Sequence, residues 1–157
     1  MVVYSNTYVR FITMTPSDAA ITAWARLMRA QQIALGRLEI SLKQAGLPPP
    51  LWHDLLLELE RAGEGGMRPA ELEERLLIAQ YNLSRLLDRM EHDGLLRRSQ
   101  LAGDARGRVV EITARGRGVQ QEMWPVYMAS VQSLIGERLS DAEAGMLSSL
   151  LGWLVDA

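Results

Sequence analysis

The succession of short elements between residues 51 and 112 constrains the fold of this chain more than any other feature. Leucines at three- to four-residue spacing predict an amphipathic helix at 51–62, and Pro69 favours the start of a short helix. A second amphipathic helix is predicted at 80–92. At 96–112, two β-like segments are joined by a charged turn. A helix, a short helix, a helix and a hairpin in this order predict a winged helix-turn-helix domain.

Long helices are predicted on both sides of this domain. The Ser-Asp pair at 17–18 can cap a helix that must end before the prolines at 48–50. Thr113 can cap a second long helix at 114–137, and a final helix is predicted at 142–155. The predicted fold class is therefore mainly α with a small β-hairpin wing.

The first 15 residues show no clear periodicity, and they are either a flexible arm or sequence upstream of a start at Met14. They lack a basic start followed by an apolar block, so a secretory signal is not expected. No apolar run reaches the roughly 18 residues that a membrane-spanning helix needs. We therefore expect a cytoplasmic protein without a membrane partner.

Arginines are unevenly distributed along the chain. Eight of them lie between Ser84 and Gly118 against five acids, which gives this segment a charge of +3 in a chain of net charge −2. A locally basic stretch in an acidic chain concentrates a polyanion on one face. The alternative is an ordinary solvated surface of helices and loops.

Polar side chains crowd the first turns of the predicted helix at 80–92, opposite its leucines. A DNA major groove admits one α-helix, whose N-terminal residues meet the base edges. Asparagine and glutamine suit adenine, whereas arginine suits guanine or phosphate. Near the tip of the hairpin, Arg106 and Arg108 are candidates for minor-groove contact. The candidate contacts on the helix are Gln80, Tyr81, Asn82, Ser84 and Arg85. A solvated polar face is the alternative.

From Leu72 to Gly116 the sequence resembles the multiple antibiotic resistance regulator (MarR) family of bacterial transcription factors. The family pattern is a short LAxxL helix, a reading helix ending in LxxxG, then LVxR, an acidic-arginine wing turn and a closing LTxxG. This chain has LEERL at 72–76, LSRLLDRMEHDGLLRR from Leu83 and GDARGRVVEIT from Gly103, followed by Gly116. The long flanking helices extend the resemblance over most of the chain beyond the first 15 residues.

The resemblance implies a homodimer built by the terminal helices. The organisation that it implies is a flexible arm at 1–15, a helical dimerisation region formed by 16–46 with 114–157, and a winged helix-turn-helix DNA-binding domain at 47–113. The chain is then expected to be a dimeric repressor of transcription. It would read a pseudo-palindromic double-stranded operator with the 80–92 helix in the major groove and the 96–112 wing in the minor groove.

The resemblance also assigns roles to single residues. In the family, the acid at the position of Asp104 braces the arginine at the position of Arg106, which enters the minor groove. Residues 80–84 would face bases, and Arg85 would meet phosphate. Arg98 would either support the first strand of the wing or touch the DNA backbone.

Three positions depart from the family pattern. The second wing arginine is replaced by Ala105, a loss for which Arg108 can compensate. The turn before the reading helix often carries glycine and serine, but this chain has Leu77 and Ala79. A missing serine cap costs about 1 kcal/mol of helix stability unless another group replaces it. These departures bear on the geometry of DNA binding and not on the fold.

Family members often bind small anions or phenols between the dimer helices and the winged domain. The matching region of this chain contains Trp24, Arg26, Met28, Trp52 and His53. An aromatic pocket with one cation suits an aromatic carboxylate, so a small aromatic or anionic effector is a candidate partner. Alternatively, Trp24 and Met28 are core residues, and His53 forms a structural pair with Asp54. The chain has no cysteine, which excludes a thiol switch.

No pattern typical of an enzyme is present. The sequence lacks GxxxxGK[ST], GxGxxG, GxSxG and HExxH, and its two histidines, His53 and His92, fall in different predicted helices. We therefore expect no catalytic activity, no metal site and no cofactor. The competing interpretation is a winged-helix module that binds protein and not specific DNA.

Overall fold

The computed structural model describes residues 15–76, 80–101 and 104–155, and at 81, 101 and 104–107 only the backbone. The expected arm at 1–15 therefore lies outside the described residues, except for Thr15. The described residues fall into two units, one that ends at Leu35 and one that starts at Gly36.

Six α-helices and one two-stranded antiparallel sheet make up the described part of the chain. The helices are α1 (Asp18–Gln44), α2 (Pro50–Ala62), α3 (Pro69–Leu76), α4 (Gln80–His92), α5 (Ala114–Val131) and α6 (Asp141–Val155). The strands are β1 (Leu96–Leu101) and β2 (Asp104–Ile112), which form the hairpin. The predicted fold class, mainly α with a hairpin wing between long helices, is confirmed.

Local chemistry sets most helix ends where the sequence predicts them. The Ser17 hydroxyl accepts a hydrogen bond from the Ala20 N–H at 3.2 Å at the start of α1. Gly94, with φ +71°, follows α4 in the left-handed conformation that glycine adopts easily. The Thr113 hydroxyl accepts from the Gly116 N–H at 3.0 Å and so caps α5.

Two boundaries differ from the prediction by more than one residue. The α-helix expected at 114–137 ends at Val131, and the backbone continues as a π-helical turn at Gln132–Gly136, where the Glu137 N–H donates to the Gln132 carbonyl five residues earlier at 2.9 Å. The turn expected at 102–107 is shorter, since β2 already begins at Asp104.

The hairpin is joined to the helix-turn-helix by a short third pairing. Arg98 is opposite Val110 in the β1–β2 register, and the register shifts between Gln100 and Leu101. On the other side of β2, the Met67 N–H donates to the Val110 carbonyl at 2.9 Å and the Val110 N–H donates to the Met67 carbonyl at 2.8 Å. The segment just before α3 is thereby fixed to the wing.

One apolar core holds α2, α3, α4 and the hairpin together. It contains the fully buried residues Leu55, Leu56, Leu59, Leu72, Met90 and Val110, among others. A smaller cluster joins Leu38 and Leu42 of α1 to Met123 of α5. Burial of a leucine side chain contributes about 1.5–3 kcal/mol, so the leucine repeats explain most of the assembly of the winged domain.

Glu58 of α2 binds two arginines and links α2 to α3. Its carboxylate accepts from Arg61 at 2.7 Å and from Arg75 of α3 at 2.9 Å. Burial acts to raise the pKa of Glu58, but the hydrogen bonds from Arg75 and Arg61 outweigh it and hold this pKa below its usual value.

This link predicts a pH-dependent part of the stability. Because the pKa of Glu58 is lower in the folded state, its contribution is present above the pKa of the unfolded chain and disappears as the pH falls through the folded pKa. We expect Glu58→Gln to lower the free energy of unfolding at neutral pH by on the order of 1 kcal/mol. Urea unfolding of both proteins between about pH 7 and pH 3 checks this. The difference should shrink toward pH 3, and a constant difference contradicts the assignment.

Candidate nucleic-acid interface

The helix α4 presents two chemically distinct faces. Leu83, Leu87 and Met90 are buried in the core of the winged domain. Gln80, Asn82, Ser84 and Arg85 are exposed, as predicted from their position opposite the leucines. The burial of one face therefore leaves the polar first turns of α4 accessible to a ligand.

Some of the candidate contacts lie partly outside the described residues. Tyr81 belongs to α4, and Asp104 and Arg106 belong to β2, but their side chains are outside the described part. Leu77 and Ala79, at the turn where the family pattern is broken, are also outside it.

The hairpin carries an internal ion pair across its two strands. The Glu111 carboxylate accepts from the Arg97 Nε at 3.1 Å and from the Ser99 hydroxyl at 2.9 Å. The hydrogen bonds from Arg97 and Ser99 hold the pKa of Glu111 below its usual value. Arg108 lies exposed on β2, two residues closer to the turn than Val110.

Arg98 of β1 is bound to α4. Its Nη2 lies 2.7 Å from Oδ1 of Asp88, and its Nη1 lies 3.5 Å from Oε2 of Glu91. Its backbone N–H also donates to Oε1 of Glu91 at 2.9 Å. Of the two roles expected for Arg98, these contacts favour support of the strand.

The five residues expected near an effector are divided between the two units. In the first unit, Trp24 and Arg26 are exposed and Met28 is half-buried. In the second unit, Trp52 and His53 are buried. Trp52 packs in the core of the winged domain.

His53 lies in a stack of aromatic rings that joins α2 to α5. Its ring centroid is 4.6 Å from that of Tyr127 and 5.9 Å from that of Trp124. Its Nδ1 is 3.4 Å from Oδ1 of Asp54, and its Nε2 has no hydrogen-bond partner among the described residues. Burial raises the pKa of the Tyr127 hydroxyl, and the Asp54 carboxylate adds to this shift.

The described residues offer neither a metal cluster nor a membrane-spanning helix. Residues 15–76, 80–101 and 104–155 contain no group of three histidine or acidic side chains placed to hold a metal ion. In the same ranges, each helix is too short or too polar to span a lipid bilayer.

Comparison with known proteins points to one family. The sequence profile of the MarR family matches residues 45–107, which include α2, α3, α4, β1 and the start of β2. Over residues 45–107 the chain has the sequence pattern of the MarR family. MarR family members are DNA-binding transcription factors and not enzymes, so the expectation that the chain is not an enzyme is confirmed. A sequence search of curated proteins finds no match.

Solved structures of MarR family regulators share the fold over nearly the whole chain. One from Streptomyces coelicolor, in complex with DNA, is 21% identical with a TM-score of 0.83, covering 91% of this chain and 89% of that one. AbsC from the same organism is 25% identical with a TM-score of 0.80, and the match covers 92% of this chain and 97% of AbsC. BpsR from Bordetella bronchiseptica is 22% identical with a TM-score of 0.74, and the match covers 85% of this chain and 98% of BpsR. The DNA binding of BpsR is regulated by 6-hydroxynicotinic acid.

Several side-chain contacts of this chain are not evident from sequence. Asp88 and Glu91 read as ordinary charges on a helix, yet both bind Arg98. Tyr127 and Trp124 read as residues of a long helix, yet both stack on His53. Each contact joins two different elements, so spacing within one element gives no signal for it.

Proposed function

We propose that this chain is a dimeric repressor that reads a pseudo-palindromic DNA operator. The observation that carries the proposal is the exposed polar face at the start of α4, held on the same core as an arginine-bearing hairpin. In this proposal Gln80, Asn82 and Ser84 meet bases, Arg85 meets phosphate and the wing enters the minor groove. Because such an operator lies on the chromosome, the proposal places the protein in the cytoplasm.

Unburied apolar side chains on α5 and α6 support the dimer. No residue of α6 is buried within the chain, although this helix is largely apolar. The exposed apolar residues of these two helices include Trp124, Met128, Val131, Met146, Leu150, Trp153 and Leu154. Water contact with so much apolar surface is unfavourable, and a second copy with the same helices removes it.

We further propose release from DNA by a small aromatic or anionic effector. Support comes from the Bordetella regulator, whose DNA binding is regulated by 6-hydroxynicotinic acid, a small aromatic carboxylic acid. The candidate residues are considered separately in each unit: Trp24, Arg26 and Met28 in the first, and Trp52 and His53 in the second.

The proposal predicts that a substitution of one residue of α4 changes the base preference of the protein. Asn82→Ala should relax the choice of base at one position in each half-site by about 1–3 kcal/mol, because an amide side chain distinguishes adenine from other bases. Gln121→Ala, which removes an exposed amide from α5, is the matched control. Competition binding against duplexes substituted at each position measures the effect. An unchanged preference removes Asn82 from the reading residues.

Selection of bound duplexes from a random pool, followed by footprinting at two salt concentrations, tests the function as a whole. A protected pseudo-palindrome and binding that weakens steeply with salt support a DNA-reading dimer. Half-sites should be about one helical turn, or a multiple of it, apart. No binding to any duplex at low salt rejects the regulator and favours a protein-binding module.

A further inference from the structure

Arg98 joins the two elements that the proposed function places in different grooves. It lies on β1, which in the described residues pairs only with β2 along one edge. Along the other edge, its N–H and its guanidinium both bind acids of α4. The Arg98 side chain is 24% exposed, whereas that of its neighbour Arg97 is 70% exposed. Arg98 therefore links the hairpin to α4, whereas Arg97 forms its ion pair within the hairpin.

Asp88 and Glu91 form one binding face for Arg98. Residues three apart on a helix lie side by side, so both carboxylates approach the same planar guanidinium. The Glu91 carboxylate meets the side chain through one oxygen and the backbone N–H through the other. A guanidinium with a fixed arrangement of donors restrains direction as well as distance. The three contacts thus restrain how α4 can rotate against the hairpin.

We propose that Arg98 is a positioning residue for DNA recognition, which acts through Asp88 and Glu91 and does not itself bind DNA. The inference rests on the proposed function. The spacing of the grooves is set by the duplex, so α4 and the wing must present their contacts at a matching angle. If the free domain already holds this angle, binding to the operator costs less conformational entropy. Non-specific binding depends mainly on phosphate contacts and tolerates a variable angle.

Arg98→Met and its matched control Arg97→Met test the proposal. Each removes one positive charge and one set of ion pairs from β1 and keeps a flexible apolar side chain. Affinities are measured for a duplex selected by the wild-type protein and for a shuffled duplex, over a series of salt concentrations. Arg98→Met should reduce the ratio of the two affinities about tenfold, within the range for losing one base-reading contact. Arg97→Met should leave this ratio unchanged.

The salt series separates positioning from contact with the DNA backbone. If Arg98 binds phosphate, Arg98→Met lowers both affinities alike and reduces the slope of log K against log salt by about 1. That result overturns the proposal, as does an affinity ratio equal to that of Arg97→Met. Thermal unfolding of both variants shows whether Arg98→Met is folded under the binding conditions.

Asp88→Asn gives a second test that does not alter β1. Removing an exposed acid from a DNA-binding helix should strengthen binding to every duplex if Asp88 acts only through its charge. If Asp88 holds Arg98, Asp88→Asn lowers the affinity ratio. The variant that combines Asp88→Asn with Arg98→Met then has the same affinity ratio as Arg98→Met alone. Additive effects overturn the proposal. Failure of the wild-type protein to bind any duplex is a different result, since it rejects the regulator function itself.

Discussion

Gly116→Ala is expected to lower the free energy of unfolding by about 3 kcal/mol, the upper end of the usual cost of overpacking. Gly116 is buried in the first turn of α5, where its N–H donates to the Thr113 hydroxyl. An added Cβ would overlap the carbonyl oxygen of Leu95 and lie 2.9 Å from Cγ1 of Ile112. Because the overlapping atom of Leu95 belongs to the backbone, a rotamer change cannot relieve the overlap.

Gly118→Ala is the matched control for this experiment. Gly118 lies two residues further along α5, and a Cβ added there has no neighbouring atom within 4 Å. Alanine is favoured over glycine in a helix by up to about 1 kcal/mol, so Gly118→Ala should stabilise the protein slightly. Urea unfolding of the two variants should therefore give changes of opposite sign. A neutral Gly116→Ala would mean that α5 can move away from the backbone of Leu95.

Leu150→Glu is expected to weaken the proposed dimer at least about 100-fold, the range for charge placed at a central apolar contact. Leu150 is 48% exposed on α6 and lies on the same helical face as Met146 and Trp153. A glutamate there stays hydrated in a monomer but loses its water in an interface built from this face. Sedimentation over a range of protein concentrations measures the change.

Ser148→Glu adds the same charge to the opposite side of α6. Ser148 is exposed and lies about half a turn from the Met146–Leu150–Trp153 face. The control should therefore keep the association constant of the wild-type protein. A Leu150→Glu protein that associates as strongly as wild type contradicts α6 as the dimer interface. If both variants dissociate, the interface surrounds α6 on more than one side.

Features determined by local chemistry could be predicted from the sequence. The left-handed Gly94, the Thr113 cap and the leucine repeats of α2 and α4 all depend on residues within one or two turns. For that reason the winged domain and the polar face of α4 follow from spacing alone.

Features that depend on how one element packs against another could not be predicted. The contacts of Arg98 with Asp88 and Glu91 arise because a strand meets a helix seven to ten residues earlier in the chain. The π-helical turn at Gln132–Gly136 could not be predicted, because helical spacing in a sequence predicts an α-helix and π turns are rare. An apolar α6 predicts burial, but the burying surface does not lie within the described part of this chain.

The Glu91 contact with the backbone of β1 also bears on solubility. A strand at the border of a sheet offers unpaired N–H and C=O groups, and these can recruit a strand from another molecule. In this chain a carboxylate of α4 already occupies the Arg98 N–H in the middle of that border. The Arg98 guanidinium also binds Asp88 and Glu91, so α4 covers this part of the border. An arriving strand would have to displace a carboxylate and an ion-paired arginine, which protects this border against intermolecular β-aggregation.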